Sequence, residues 1–220
     1  MAEDTDLWES VPMLLPAVHL VTDRQLVPDL GFAVASALRA LPPGAVAVHL
    51  REKDLGGRDL LALAQVIAAT CRAAGQLLLV NDRLDVALAC GADGVHLPSA
   101  GVPPVEARRL LGPDRLVGVS CHGEEDVRRA KEGGADFATF GPLHATPSKL
   151  AYGPPLGLGA LARAARLGLP LVALGGVDAG NAAQARASGA HGVAAIRAWL
   201  AAADPGVAVA ALWRSMGGMQ

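Results

Sequence analysis

Aromatic residues are scarce: three Trp, three Phe and one Tyr make up 3% of the 220 residues. Single-stranded nucleic acid is usually held on aromatic stacking platforms, so a surface of that type is excluded. Charge of one sign is lacking too. Lys and Arg number 19 against 21 Asp and Glu, a formal net charge of -2, which gives no electrostatic case for a nucleic-acid partner. Cys71, Cys90 and Cys121 are an odd count, with no Cys-x-x-Cys pair and no zinc spacing. Small buried thiols in a reduced, cytoplasmic setting are the expectation. No apolar run approaches the ~20 residues of a membrane-spanning helix. Residues 1–6 are acidic, the wrong sign for a signal peptide, so no membrane partner is expected.

What the chain does have is apolar bulk. Hydrophobic residues reach 52% and charged ones 18%, enough for a large core and too little charge for disorder. Residues 1–13 read as a loose, flexible N-terminal extension and 14–217 as one domain. Eight apolar runs (17–23, 45–50, 76–80, 91–97, 115–120, 136–140, 170–174 and 192–196) alternate with helical patterns over 30–40, 59–74, 84–90, 103–111, 124–132, 158–166 and 181–188. A helical tail follows from about Val207. The runs do not alternate apolar with polar, as expected of parallel strands buried on both faces. A weak repeat marks the helix-to-strand junctions: Gly91-Ala92-Asp93-Gly94-Val95, Gly134-Ala135-Asp136-Phe137 and Gly189-Ala190-His191-Gly192-Val193. Its glycine suits a helix C-cap. Eight strands alternating with helices predict a (β/α)8 TIM barrel. A doubly wound open sheet is the rival, weakened because Asp23-Arg24-Gln25, and not a glycine-rich phosphate turn, follows the first strand.

In such a barrel the chemistry sits at the C-terminal ends of the strands. Those ends carry His49 with Arg51 and Lys53, Asn81 with Asp82, His96, Ser120 with His122, and Gly175-Gly176. After the sixth strand comes a long loop containing His144, Thr146, Ser148 and Lys149, with too much Pro and Gly for a helix. Hydroxyls and an ammonium suit phosphate oxygens. Arg51 and Lys53, read as alternating strand residues, offer a fork and a point charge for a diphosphate, or else ion pairs with Glu52 or Asp54. Asp82 could hold Mg²⁺ together with substrate phosphate, or cap the helix at Leu84. The Gly175-Gly176 turn and the turn after the eighth strand, at Ala195 and Ile196, sit where barrels bind phosphate on backbone N–H groups, though Gly-Gly also makes ordinary turns. His96, His122 and His144 read as acid–base groups or as structural histidines.

Taken in order, several stretches resemble the thiamine phosphate synthase/TenI family: His49-Leu50-Arg51-Glu52-Lys53, Asn81-Asp82-Arg83-Leu84-Asp85, Gly94-Val95-His96-Leu97, Gly118-Val119-Ser120, Phe140-Gly141-Pro142 through Ser148-Lys149, Ala173-Leu174-Gly175-Gly176-Val177, and Gly189-Ala190 with Gly192-Val193-Ala194. The resemblance implies a synthase that joins an aminopyrimidine methyl diphosphate to a thiazole phosphate and releases pyrophosphate. By that resemblance Arg51, Lys53, Asn81, Ser120, Thr146, Ser148 and Lys149 hold the pyrimidine diphosphate. Asp82 holds one Mg²⁺, and Gly176 with the Ala195-Ile196 turn holds the thiazole phosphate. The partners implied are these two phosphorylated small molecules, with self-association left open. Three positions depart from the synthase pattern and one from the tautomerase pattern. Gly101 stands where a second metal carboxylate is usual, Pro142 where the tautomerase branch has its histidine, Arg197 where serine is common, and His49 where glutamine is typical. The alternatives are a TenI-like thiazole tautomerase with His144 or His122 as base, or a non-catalytic binder of thiazole phosphate or thiamine phosphate.

Overall fold

Short apolar strands joined by helices form a closed parallel barrel in the computed structural model, which describes residues 14–39, 41–145 and 154–218. The expected extension over 1–13, and Thr146, Ser148 and Lys149, lie outside these residues. The strands are β1 (Val18–Val21), β2 (Val46–Leu50), β3 (Leu77–Asn81), β4 (Gly94–Leu97), β5 (Leu116–Cys121), β6 (Phe137–Phe140), β7 (Leu171–Leu174) and β8 (Gly192–Ala195). Each pairs with its neighbours in sequence, and β8 returns to β1 with Val18 opposite Val193. The helices are α1 (Leu30–Leu38), α2 (Gly57–Ala73), α3 (Leu84–Cys90), α4 (Pro104–Leu111), α5 (Glu124–Glu132), α6 (Gly157–Ala165), α7 (Ala182–Ala187), the four-residue α8 (Arg197–Leu200) and α9 (Pro205–Ser215). The barrel expected from the strand count is therefore the fold.

The core has two parts. Outward strand side chains such as Val46, Val48, Leu78 and Val80 meet the buried helix faces. Inward ones, Val21, Ala47, Leu79, Leu116, Phe137, Val172 and Ala194, fill the lumen. Phe137 takes the space that Gly118 leaves: a Cβ at 118 would stand 2.2 Å from Phe137 Cζ. Where β8 meets β1, the Val193 N–H donates to Ala17 O at 2.9 Å, and the buried Trp199 Nε1 donates to Ala195 O at 3.1 Å and Val21 O at 3.3 Å.

The Gly-Ala-Asp repeat has a structural purpose. Gly91, Gly134 and Gly189 all have positive φ. The N–H groups of Asp93, Asp136 and His191 then donate to Leu78 O, Val117 O and Leu171 O, at the start of the preceding strand in each case. In the first two copies the carboxylate completes the clasp, taking Leu78 N–H at 2.7 Å and Val117 N–H at 2.6 Å. Around the first two strands the structure makes two corrections to the sequence expectation. The first strand stops at Val21, leaving Thr22 and Asp23 in a loop that enters a 3-10 turn over Arg24–Leu26. The second stops at Leu50 as expected, but Arg51 and Lys53 beyond it do not alternate as strand residues: Lys53 lies in a turn. Both ends are drawn out of the sheet by the buried Glu52 carboxylate, which takes the Thr22 hydroxyl at 2.6 Å and the Arg24 N–H at 3.0 Å.

Candidate active site

The barrel mouth is assembled two strand ends at a time. At β1 and β2, Thr22 both donates to Glu52 and accepts the Arg51 N–H at 2.9 Å. Arg24 takes the second nearby acid, pairing with Asp54. The ion-pair alternative for Arg51 and Lys53 thus fails: both neighbouring acids are engaged elsewhere. Neither cation forms an ion pair among the described residues, and Lys53 is exposed. Glu52 is only 5% exposed, so the loop's backbone is held by a carboxylate whose burial the Thr22 and Arg24 bonds compensate. Sequence reasoning overlooked Thr22 and Glu52. The signal was there, in hydrogen-bonding residues at the ends of two consecutive strands.

At β3, Asn81 shares the inner face with Leu79, and Asp82 follows with φ 66°, the one left-handed non-glycine backbone among the described residues. Its N–H donates to His96 O at 3.0 Å, which turns the side chain out of the sheet. The alternative of Asp82 as a helix cap is not what forms: Arg83 occupies the N-cap of α3, with no side-chain cap bond. The Asp82 carboxylate is exposed and accepts no hydrogen bond from the described residues. A strained backbone holding an unengaged carboxylate at the mouth fits a cation ligand better than a structural group. Across β4, Pro98–Gly101 closes a tight turn, with the Gly101 N–H on Pro98 O at 2.9 Å. A Cβ at 101 would stand 2.8 Å from the Pro98 ring, so the turn has no room for the second carboxylate of the synthase pattern. Glu106 does not replace it, being paired with Arg109 on α4. Among the described residues no three His, Cys, Asp or Glu side chains gather as a metal centre. One carboxylate is a workable donor set for Mg²⁺, which keeps several waters and relies on substrate phosphate. Asp82 is the residue that fits it.

On the far side, Ser120 is half-buried on β5, in register with Thr139 of β6. His122 is fixed, its Nδ1 2.5 Å from Gly141 O and its N–H on Asp126 at 2.8 Å. The start of the long loop is stitched to β7: Leu143 N–H donates to Leu174 O at 2.8 Å and His144 N–H to Gly175 O at 2.9 Å. That stitching requires glycine at 175, where a Cβ would meet Pro142 Cα at 2.7 Å. The His144 Nε2 is enclosed and has no hydrogen-bond partner among the described residues. Gly176 has φ 64°, with its carbonyl held by Asn181 Nδ2 at 2.8 Å. Ala195 is buried and half-buried Ile196 caps α8, so the turns after β7 and β8 lie side by side at the rim.

Below the rim the lumen holds three buried imidazoles. His19 Nδ1 and His49 Nε2 are 2.7 Å apart, His19 Nε2 is 3.0 Å from Pro16 O, and His96 Nε2 is 3.0 Å from Thr139 Oγ1. The His49 and His96 ring centres are 5.0 Å apart, with Phe137 against all three rings. Burial pushes His19 down to about 3, His96 to about 4 and His49 well below the usual imidazole value, so the cluster is neutral. His49 and His96 thus form the floor of the mouth, while Arg51, Asn81, Asp82, Ser120, Gly176 and Ile196 stand around its edge. His19 and Thr139 are further lumen residues that the sequence did not single out.

A family model described as thiamine monophosphate synthase matches residues 18–199. A putative thiamine-phosphate synthase of Geobacter sulfurreducens is 48% identical over 192 residues, covering 86% of this chain and 89% of the relative. The thiamine-phosphate synthase of a Roseiflexus species is 42% identical, covering 93% of this chain and 88% of its own. Among solved structures, a thiamine phosphate pyrophosphorylase from Pyrococcus furiosus superposes with a TM-score of 0.83 at 29% identity, over 92% of this chain and 96% of that one. Barrel, rim and relatives agree, and the chain belongs to the thiamine monophosphate synthase/TenI family of enzymes acting on small phosphorylated substrates.

Proposed function

We propose that this protein is a thiamine-phosphate synthase, condensing hydroxymethylpyrimidine diphosphate with thiazole phosphate to give thiamine phosphate and pyrophosphate. The observation that carries the reading is the polar rim of the mouth. Arg51 and Lys53 are outside any described ion pair, Asn81 and Ser120 stand on the inner face, and the exposed Asp82 carboxylate is unengaged among the described residues. In the reaction the bond between the pyrimidine methylene and the diphosphate breaks, and its electron pair leaves with the diphosphate. The thiazole nitrogen then supplies the pair for the new C–N bond. The charge maturing on the leaving group is met by Arg51 and Lys53, joined by Thr146, Ser148 and Lys149 of the loop after β6, and cations so placed act on the transition state. Asn81 and Ser120 orient the diphosphate from the lumen side. When bound, Mg²⁺ supplies further positive charge against the diphosphate oxygens, and Asp82 would hold it. Gly176 and the Ala195-Ile196 turn receive the thiazole phosphate on backbone N–H groups.

Incubation with both substrates and Mg²⁺ is expected to yield thiamine phosphate; a blank result beside an active control synthase would overturn the reading. Lys149→Ala is expected to lower kcat by about 10²-fold with a smaller change in KM, since the charge it meets develops at the transition state. A second reading, a thiazole tautomerase, draws on one observation: the His144 Nε2, enclosed and without a partner among the described residues, is placed to move a proton. It requires aromatisation of the thiazole carboxylate phosphate that disappears in His144→Gln, without thiamine phosphate being formed.

A further inference from the structure

The buried imidazoles determine each other's tautomers from the floor upward. Pro16 O can only accept, so the His19 Nε2 at 3.0 Å carries a hydrogen. A neutral His19 then has a bare Nδ1. The 2.7 Å contact from that nitrogen to His49 Nε2 is a hydrogen bond only if His49 carries its own hydrogen on Nε2. A neutral His49 is left with a bare Nδ1, an acceptor and nothing else. Both rings are enclosed, at 0% and 2% exposure, and Phe137 lies against them, so no water competes along this chain. Their neutrality agrees with the downward push that burial exerts on both. His49 Nδ1 has no hydrogen-bond partner among the described residues. His49 faces the lumen in register with Leu79, one residue before the mouth end of β2. It lies on β2 just before the Arg51 cation of the rim.

We propose that His19 is a positioning residue that fixes His49 as an Nδ1 acceptor, through which His49 takes an N–H donor on the substrate's aromatic ring. This rests on the synthase reading, in which the amino group of the pyrimidine is that donor. The arrangement also selects against a ring bearing a carbonyl in the same place, where two acceptors would face each other.

The test begins on the unmodified protein. With ¹⁵N-labelled histidine, long-range ¹H–¹⁵N correlation spectra show which nitrogen of each ring is protonated, and His49→Asn assigns the His49 signals. Expected at pH 7 is a His49 with protonated Nε2 and bare Nδ1, whose Nδ1 resonance shifts on adding the pyrimidine diphosphate. A proton on His49 Nδ1, or no shift with saturating substrate, overturns the proposal. Two variants separate positioning from packing. His19→Phe removes the acceptor facing His49 and is expected to raise KM for the pyrimidine diphosphate about tenfold, leaving KM for the thiazole phosphate unchanged. His19→Asn, whose amide oxygen can stand in for Nδ1, is expected to recover most of the loss. Equal rises in both KM values, or no rise in either, overturn the positioning role. If no thiamine phosphate forms at all, the synthase reading falls, and the spectra with their substrate titration still decide the tautomer claim.

Discussion

Asp82 shows how far a single residue can be understood from its type and place. An aspartate just before a helical pattern is as good a cap as it is a metal ligand, and nothing in the spelling of residues 81–85 separates the two. Backbone geometry does, since φ at 82 is 66° and the N-cap of α3 is Arg83. A left-handed aspartate costs about 1 kcal/mol, a cost expected to persist only where the side chain's place is useful. Asp82→Asn keeps the shape and the tolerance for positive φ but not the charge. Its thermal unfolding midpoint is expected to match the wild type, while titration calorimetry loses the Mg²⁺-dependent part of diphosphate affinity. A lowered midpoint with that affinity intact would return Asp82 to a structural role. Arg51 and Lys53 were legible as cations at a strand end. Glu52 between them was legible only as a competitor for their charge, because the Thr22 and Arg24 bonds that occupy it come from about 30 residues away in sequence.

Elements were easier to read than their ends. All eight strands stood out because parallel strands covered on both faces are continuous apolar runs. The end of β1 slipped where the Glu52 side chain captures the backbone, and α8 was missed because four residues are too few to show a period. The repeated Gly-Ala-Asp was legible as a turn but not as a clasp, since its partners, Leu78 and Val117, begin the preceding strands. Asp136→Ala tests the clasp. It leaves the Val117 N–H without its 2.6 Å partner and removes the pair with Arg108. The pair is partly exposed and contributes little, so the expected loss of about 1–2 kcal/mol comes mainly from the backbone bond. Urea unfolding should show it with unchanged kcat, because the clasp lies at the opposite end of the barrel from the rim. An equal loss of activity and stability would mean that the two ends are not independent.

The molecule as a whole carries a pH dependence set by its lumen. His19, His49 and His96 are neutral when folded, with His19 near 3 and His96 near 4, whereas the unfolded chain protonates them near 6.5. Unfolding therefore takes up protons below about pH 6.5. The stability due to neutral burial is fully present above that value and is lost as pH falls toward about 4, by up to about 1.4 kcal/mol per pH unit for each imidazole. Thermal midpoints between pH 8 and pH 5 are expected to fall most steeply below 6.5. A flat profile would mean that the lumen is wet or charged. Closure of the barrel has a consequence in time as well. The free edge of β1 finds its last partner only at Val193, and Trp199 bonds the two ends together at Ala195 O and Val21 O. A nascent chain emerging from the ribosome must therefore carry β1 with one side unsatisfied until almost the whole domain has been synthesised. At the translation rates typical of cells, about 5–20 residues per second, that is an exposure of roughly ten to forty seconds, during which a second nascent chain could pair with it.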